Sequence, residues 1–279
     1  MRPQCARFWY RERARFWYRE RMTLRPSGGA QLTQLKNADV SWGAFDPKAY
    51  VKHNYRALQS EDAEILDVVR DHFADHFRRP GVGPVRGIDV GAGANLYPAL
   101  AMLPWCDELT LFERSPANVR YLKRQVDSYD ENWDQFWDVL CEDEAYDSLA
   151  MDPRKKFAKT VDVELGDIFD LQRHEGRWSV GTMFFVAESM TNSHREFALG
   201  VERFMRALAP GAPFAAAFME HSKGYHVGDY FFPACDVGES EVRASLEPFA
   251  DEFIAKRLKS SAAVRNGYTG MIVAYGRRR

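Results

Sequence analysis

The sequence predicts a doubly wound, Rossmann-like α/β fold with a mostly parallel sheet of seven strands and one antiparallel edge strand. Two observations carry this. From residue 85 onward, short apolar runs rich in β-branched residues alternate with stretches of helical period, and the first run ends in a G-x-G turn within "RGIDVGAGANLYPAL". The last two strand-like runs then follow each other without a helix between them, as an antiparallel hairpin at one sheet edge would require.

The elements follow in order. "FDPKAYVKHNYRAL" reads as a helix carrying Tyr50 and Tyr55. "SEDAEILDVVRDHFADHF" reads as a second, with Ser60 as N-cap, acids in its first turn and Ile65, Leu66, Val69 and Phe73 on one face. "RRPGVGP" stops it. Strands are expected at 85–90, 109–112, 161–165, 180–185 and in "APFAAAF", with helices at 96–103, after Ser115-Pro116 and at 196–208. The closing strand-like runs span 253–258 and 268–275. "NWDQFWDVLCEDEAYD", between strands two and three, has aromatics at near-helical spacing and is expected to add a helix to a pocket wall.

A chain of 279 residues, 46% hydrophobic and 28% charged, can bury one large core. Its 38 basic against 40 acidic residues supply no global field for nucleic acid. The partner expected is a small molecule, with no nucleic acid and no membrane, and the chain is expected to be a monomer or homodimer. Four scattered cysteines without C-x-x-C spacing suit a reducing cytoplasm, and no apolar run approaches a membrane span. His72 and His76 stand four apart but have no evident third ligand, so no metal is expected.

The N-terminus differs from the rest. "ARFWYRER" at 6–13 recurs unchanged at 14–21, without a clean amphipathic stripe. It reads as a recent duplication, or as a start placed upstream of Met22. Residues 1–40 are expected to form a poorly ordered extension, 41–80 a helical cap and 81–279 the Rossmann-like core.

The G-x-G turn announces a nucleotide. A dinucleotide turn needs a third glycine for close helix packing, and here that position is Leu96. Asp89, two residues before Gly91, would repel a diphosphate but attract an amino acid's ammonium, which favours S-adenosylmethionine. Glu113 ends strand two, where it could accept ribose hydroxyls of either nucleotide. Asp167 follows strand three, suited to an adenine amino group, with Ile168 and Phe169 as apolar neighbours to the ring.

The succession "FDPKAYVKHNY", "IDVGAGANLY", "LFERSPANV", "GDIF", "MFFVAES" and "SKGYHVGDYFF" resembles the nicotinamide, phenylethanolamine and indolethylamine N-methyltransferases, most closely actinobacterial members, from Trp42 to the C-terminus. The resemblance implies a class I methyltransferase with S-adenosylmethionine as cofactor and S-adenosylhomocysteine as product. It implies that Tyr50 and Tyr55 reach the methionine carboxylate or the substrate, that Tyr97 also reaches the carboxylate, and that Gly91 and Gly93 pass along the methionyl and ribose parts. Glu113, where the family commonly has aspartate, would bind the ribose side with Asn118, and Asp167 and Ile168 the adenine. Glu188 matches a glutamate that contacts the amine in the phenylethanolamine enzyme. Phe218 replaces an amide-binding aspartate of the nicotinamide enzyme, which argues against nicotinamide.

Around the acceptor, Glu188, Tyr50 and His221 are the candidate catalytic residues, and Phe218, Glu220 and Tyr225 further candidates for substrate contact. Tyr50, Tyr55, Phe184 and Phe185 could form an aromatic box about the sulfonium, although successive strand residues should face opposite ways. The activity expected is in-line methyl transfer to a small molecule, at an amine nitrogen. Methylation of oxygen or carbon, another sulfonium reaction such as cyclisation of the cofactor, and cofactor binding without catalysis stay open.

Overall fold

The computed structural model describes residues 34–79, 83–259 and 267–279. The tandem repeat and most of the expected N-terminal extension lie outside the described residues. Gln34–Arg279 form one compact unit.

Nine strands and nine helices of the described residues build this unit. The strands are β1 (Arg86–Val90), β2 (Glu108–Glu113), β3 (Val161–Leu165), β4 (Val180–Phe184), β5 (Pro213–Glu220), β6 (Tyr225–Val227), β7 (Tyr230–Phe232), β8 (Ala250–Lys259) and β9 (Gly270–Arg278). The helices are α1 (Pro47–Asn54), α2 (Ser60–Phe77), α3 (Tyr97–Met102), α4 (Pro116–Asp127), α5 (Asp134–Leu140), α6 (Glu144–Asp147), α7 (Pro153–Thr160), α8 (His194–Ala207) and α9 (Glu239–Leu246). Seven strands form one sheet in the order β3-β2-β1-β4-β5-β9-β8. β1 to β5 run parallel, and β9 pairs antiparallel with both β5 and β8, so the expected antiparallel pairing closes that edge.

Strand order reverses between β1 and β4. The chain steps outward from β1 through β2 to β3, then returns to β4 on the other side of β1, and the connections leave a crevice above the carboxyl ends there. Everything that lines the cleft described below grows from this place.

Local chemistry sets the helix ends. Asp46 caps α1 by accepting from the Lys48 and Ala49 amides, with Pro47 in the first turn. Tyr55 is the C-cap of α1 and not a residue within it. Gln59, not Ser60, occupies the N-cap of α2, and the Ser60 hydroxyl turns instead to the Glu61 carboxylate. Ser115 caps α4 and Ser193 caps α8.

The sheet separates two apolar layers. One contains Ile65, Leu66, Val69 and Phe73 of α2 with α3 and α5; the other contains α8, α9 and the opposite faces of β4 and β5. The aromatic segment between β2 and β3 is helical, as α5 and α6, but it does not wall the cleft. Phe136 stacks on Tyr97 at 5.4 Å, and Trp133 packs against Tyr55 at 5.4 Å, so the segment supports cleft residues from behind. No helix among the described residues is long and apolar enough to cross a membrane.

Phe73 is fully buried where α2 meets the sheet. Phe73→Ala should lower unfolding free energy by about 3–5 kcal/mol, read from the urea midpoint at unchanged slope.

Candidate functional site

A cleft enclosing about 720 Å³ of space, the solvent at its mouth included, opens at the carboxyl ends of β1, β2 and β4. Its floor is the turn after β1. Gly91 and Gly93 have φ of 65° and 62°, and a Cβ on Gly91 would come within 2.5 Å of Val186, so the backbone is bare at this point. The Gly91 amide donates to the Phe112 carbonyl at 2.7 Å, which ties the turn to the end of β2.

Glu113 supplies the next polar group. Its Oε2 accepts from the Gly93 amide at 2.8 Å, and its Oε1 from the Ser115 amide at 2.6 Å and Asn118 Nδ2 at 3.3 Å. Burial pushes its carboxyl pKa up, while these donors pull it back. The contact to Glu113 fixes the orientation of the Asn118 amide, whose buried Oδ1 meets no hydrogen-bond donor of the protein. Oε2 of Glu113 and Oδ1 of Asn118 thus retain acceptor capacity at the cleft, as two vicinal hydroxyls would use.

Aromatic rings form the walls and roof. Tyr50, Tyr55, Phe184 and Phe185 all line the cleft. Phe185 does so because β4 ends at Phe184 and Phe185 takes φ of 60°, which breaks the strand alternation and places both rings in the same apolar layer. Above them, residues 42–50 meet the β6–β7 hairpin ring to ring: Trp42 lies 5.5 Å from Phe232, Phe45 5.3 Å from Phe232 and 5.1 Å from Tyr50. Tyr225 of the hairpin also lines the cleft and stacks on Phe232 at 5.5 Å.

The structure brings together Tyr50, Tyr55, Gly91, Gly93, Glu113, Asn118, Ile168, Phe185 and Tyr225. It places seven other expected residues elsewhere. Tyr97 is in the core, its hydroxyl donating to buried Asp62 at 3.0 Å. Asp89 is buried beneath the turn and accepts from the Thr182 hydroxyl at 2.7 Å. Asp167 pairs with Arg114 at 2.6 Å and is not among the residues that line the cleft. Glu188 is fully buried, its Oε1 accepting from the Met219 amide and the Ser189 hydroxyl, each at 3.1 Å, so it joins the loop after β4 to β5. Phe218 packs on Phe197 of α8 at 5.9 Å. Glu220 is held by Arg257 at 2.6 Å and by the Thr269 hydroxyl at the sheet edge, and the arginine keeps its carboxyl below the usual range. His221, with φ of 55°, pairs at the surface with Asp236 at 2.7 Å. His72 Nε2 lies 3.1 Å from the Gly276 carbonyl, and the described residues contain no group of three potential metal ligands.

Sequence reasoning missed Asn37, Trp42, Phe45, Arg114 and Ser189, all of which line the cleft. Arg114 adjoins Glu113 and was within reach of the strand-end reasoning. "QLKNADVSWG" has no periodicity that would mark Asn37 or Trp42.

The residues present fit an adenosyl amino acid. A bare glycine turn, a Glu113–Asn118 acceptor pair and the apolar Ile168 form a nucleoside-shaped half, and aromatic rings suited to a cation form the other.

Comparisons agree with this geometry. The model of the NNMT/PNMT/TEMT family matches residues 34–273. No curated protein matches the chain. Among solved structures, a SAM-dependent methyltransferase from Methanosarcina mazei is similar at TM-score 0.50 and 13% identity over 74% of this chain and 96% of that one. The N-methyltransferase NodS from Bradyrhizobium japonicum, in complex with S-adenosylhomocysteine, is similar at TM-score 0.50 and 14% identity over 84% and 93%. These likenesses show the class I methyltransferase fold.

Asp89 yields a pH prediction. Burial pushes its carboxyl pKa up to about 8, the Thr182 hydroxyl opposes this, and Glu113 adds to it. The folded chain therefore holds a proton that the unfolded chain releases near pH 4, and stability contributed by this group falls as pH rises toward 8. Asp89→Asn should come closest to the wild type near pH 3 and exceed it increasingly up to pH 9 in urea unfolding; equal slopes against pH would contradict this.

Proposed function

The chain belongs to the NNMT/PNMT/TEMT family of methyltransferases, and on that premise we propose that it methylates the amine nitrogen of a small molecule, with S-adenosylmethionine as donor. One observation carries the choice of nitrogen. Among the described residues, the lining of the cleft contains no His, Lys, Cys or Asp, and its one acid, Glu113, is bound to three donors. A hydroxyl acceptor would need a base beside it, whereas an amine of low basicity, such as an aromatic amine, is neutral near pH 7 and brings its own lone pair. The aromatic roof, closed from two sides, favours an acceptor small enough to be enclosed.

Bound S-adenosylmethionine supplies a methyl group already activated by its positive sulfur. The chain's own residues bind, orient and exclude water. Gly91 and Gly93 would give room for the backbone to approach the cofactor, Glu113 and Asn118 would accept from its ribose hydroxyls, and Ile168 would meet the base. Tyr50, Tyr55, Phe184 and Phe185 surround the reacting end, where aromatic faces stabilise a cation by about 0.5–2 kcal/mol each. Tyr225 and Ser189 stand on the acceptor side. Holding two reactants in line accounts for roughly 7–11 kcal/mol in well-aligned systems, so position is the main contribution. Glu188 braces the loop after β4 through the Met219 amide and the Ser189 hydroxyl.

Two expectations test this. Incubation with S-adenosylmethionine and paired acceptors, an aromatic amine and the matching phenol, should produce S-adenosylhomocysteine and an N-methyl product by mass spectrometry, with the phenol unchanged. Methylation of the phenol would overturn the nitrogen reading. Glu113→Gln turns an acceptor into a donor facing an amide N–H, and should weaken S-adenosylhomocysteine binding about tenfold or more by calorimetry.

A further inference from the structure

Two polar residues close the end of the cleft at Gly166 and Ile168, and Asp167, which the sequence marks for this place, is not one of them. Asn37 and Arg114 line it instead. Asp167 stands behind both, paired with Arg114 at 2.6 Å and accepting from Asn37 Nδ2 at 3.2 and 3.3 Å on its two oxygens. Its Oδ1 also takes the Phe169 amide at 3.0 Å. The carboxylate is thereby fixed, and the side chains that fix it are what the cleft meets.

Asn37 belongs to a strap of residues 34–44 laid across the sheet end. It is the one buried residue of that stretch, and it is polar. Burying a carboxamide is costly unless its groups are bonded, and here they are. Its Oδ1 accepts from the Trp42 indole at 2.9 Å, and its backbone amide donates to Glu196 of α8 at 2.9 Å. Flanking bonds fasten the strap on either side. The Leu35 amide donates to Asn192 Oδ1 at 2.7 Å, the Thr191 hydroxyl donates to the Leu35 carbonyl at 2.9 Å, and the Ser115 hydroxyl donates to the Trp42 carbonyl at 2.8 Å. Those bonds attach the strap to the loop before α8 and to the cap of α4. Asn37 and Trp42 of the strap reach past them to the wall of the cleft, and only Asn37 of the two also bonds Asp167.

We propose that Asn37 is a positioning residue for the adenosyl half of the cofactor. It holds Asp167 and Arg114 in register and latches the strap over the adenine end, so that the nucleoside leaves only when the bond from Asn37 to Asp167 opens. This rests on the cofactor and not on the choice of acceptor atom. Asn37→Asp isolates the latch, because it keeps the acceptor for Trp42 and replaces only the donor to Asp167 with a second carboxylate.

The test is the dissociation rate of S-adenosylhomocysteine, from stopped-flow displacement, with calorimetric affinity and the ligand-free melting temperature measured alongside. Asn37→Ala and Asn37→Asp should each raise the dissociation rate about tenfold, equivalent to about 1.4 kcal/mol, with the association rate little changed. Asp39→Ala, which disturbs the exposed turn of the strap at the Lys36 amide without touching Asp167, should leave dissociation at the wild-type value. Dissociation unchanged in both Asn37 variants, or equally fast in Asp39→Ala, would overturn the proposal. So would a lowered melting temperature with no change in dissociation, since a purely structural residue behaves in that way. Failure of the wild type to bind S-adenosylhomocysteine would remove the cofactor reading itself, a separate result from any of these.

Discussion

The site depends on one buried carboxylate. Glu113 stands at the end of β2, and its two oxygens collect the amide of the glycine turn after β1, the amide that opens α4 and the side chain of Asn118. Two segments, the glycine turn 20 residues back and the first turn of α4, are pinned to one group. A buried acid without donors would be neutral or unstable; here the donors exist because the strands end in register, with Val90 beside Phe112. The parallel sheet sets the distance between the turns, and the carboxylate then fixes their orientation. Removing it would leave backbone amides facing one another.

Around this point the molecule divides its labour. The nucleoside half of the cleft is made of backbone and short polar groups on strand ends, which the sheet holds rigidly. The other half is made of aromatic side chains, Phe184 and Phe185 from the end of β4 and the rest from two additions to the sheet, α1 with the segment before it and the β6–β7 hairpin. These additions hold each other through rings and not through a shared strand, with Phe232 of the hairpin against Trp42 and Phe45. A constant binding half and an adaptable reacting half are thus built by different physics.

The sequence made the sheet legible because strand periodicity and the G-x-G turn are local signals. Strand β3 falls at its expected residues, and Glu113 and Asn118 follow from their places at a strand end and a first helical turn. Tyr97 and Asp89 were misplaced for a shared reason. Position relative to the glycine turn can be counted, but whether a side chain rotates toward the ligand or into the core depends on distant partners, here Asp62 and Thr182. Glu188 and Glu220 went astray in the same manner, drawn off by Met219 and Arg257. Phe185 is the reverse case: strand alternation alone would have turned one of the two phenylalanines away, and a positive φ brought both to one side. Asn37 carried no local signal, since a polar residue in an aperiodic stretch looks like any other loop residue until its carboxylate partner, 130 positions away, is known.

The two halves of the roof also impose an order in time. The glycine turn, Glu113 and Asn118 are all synthesised before residue 120, whereas the hairpin that meets Trp42 and Phe45 ends at Phe232. During translation the N-terminal half of the roof must therefore wait, its aromatic rings without their counterpart, while more than a hundred further residues emerge. Contacts between segments so far apart form late and slowly. The emerging chain carries the glycine turn and the Glu113–Asn118 pair well before it has a chamber, which makes closure of the reaction space a late event of its folding.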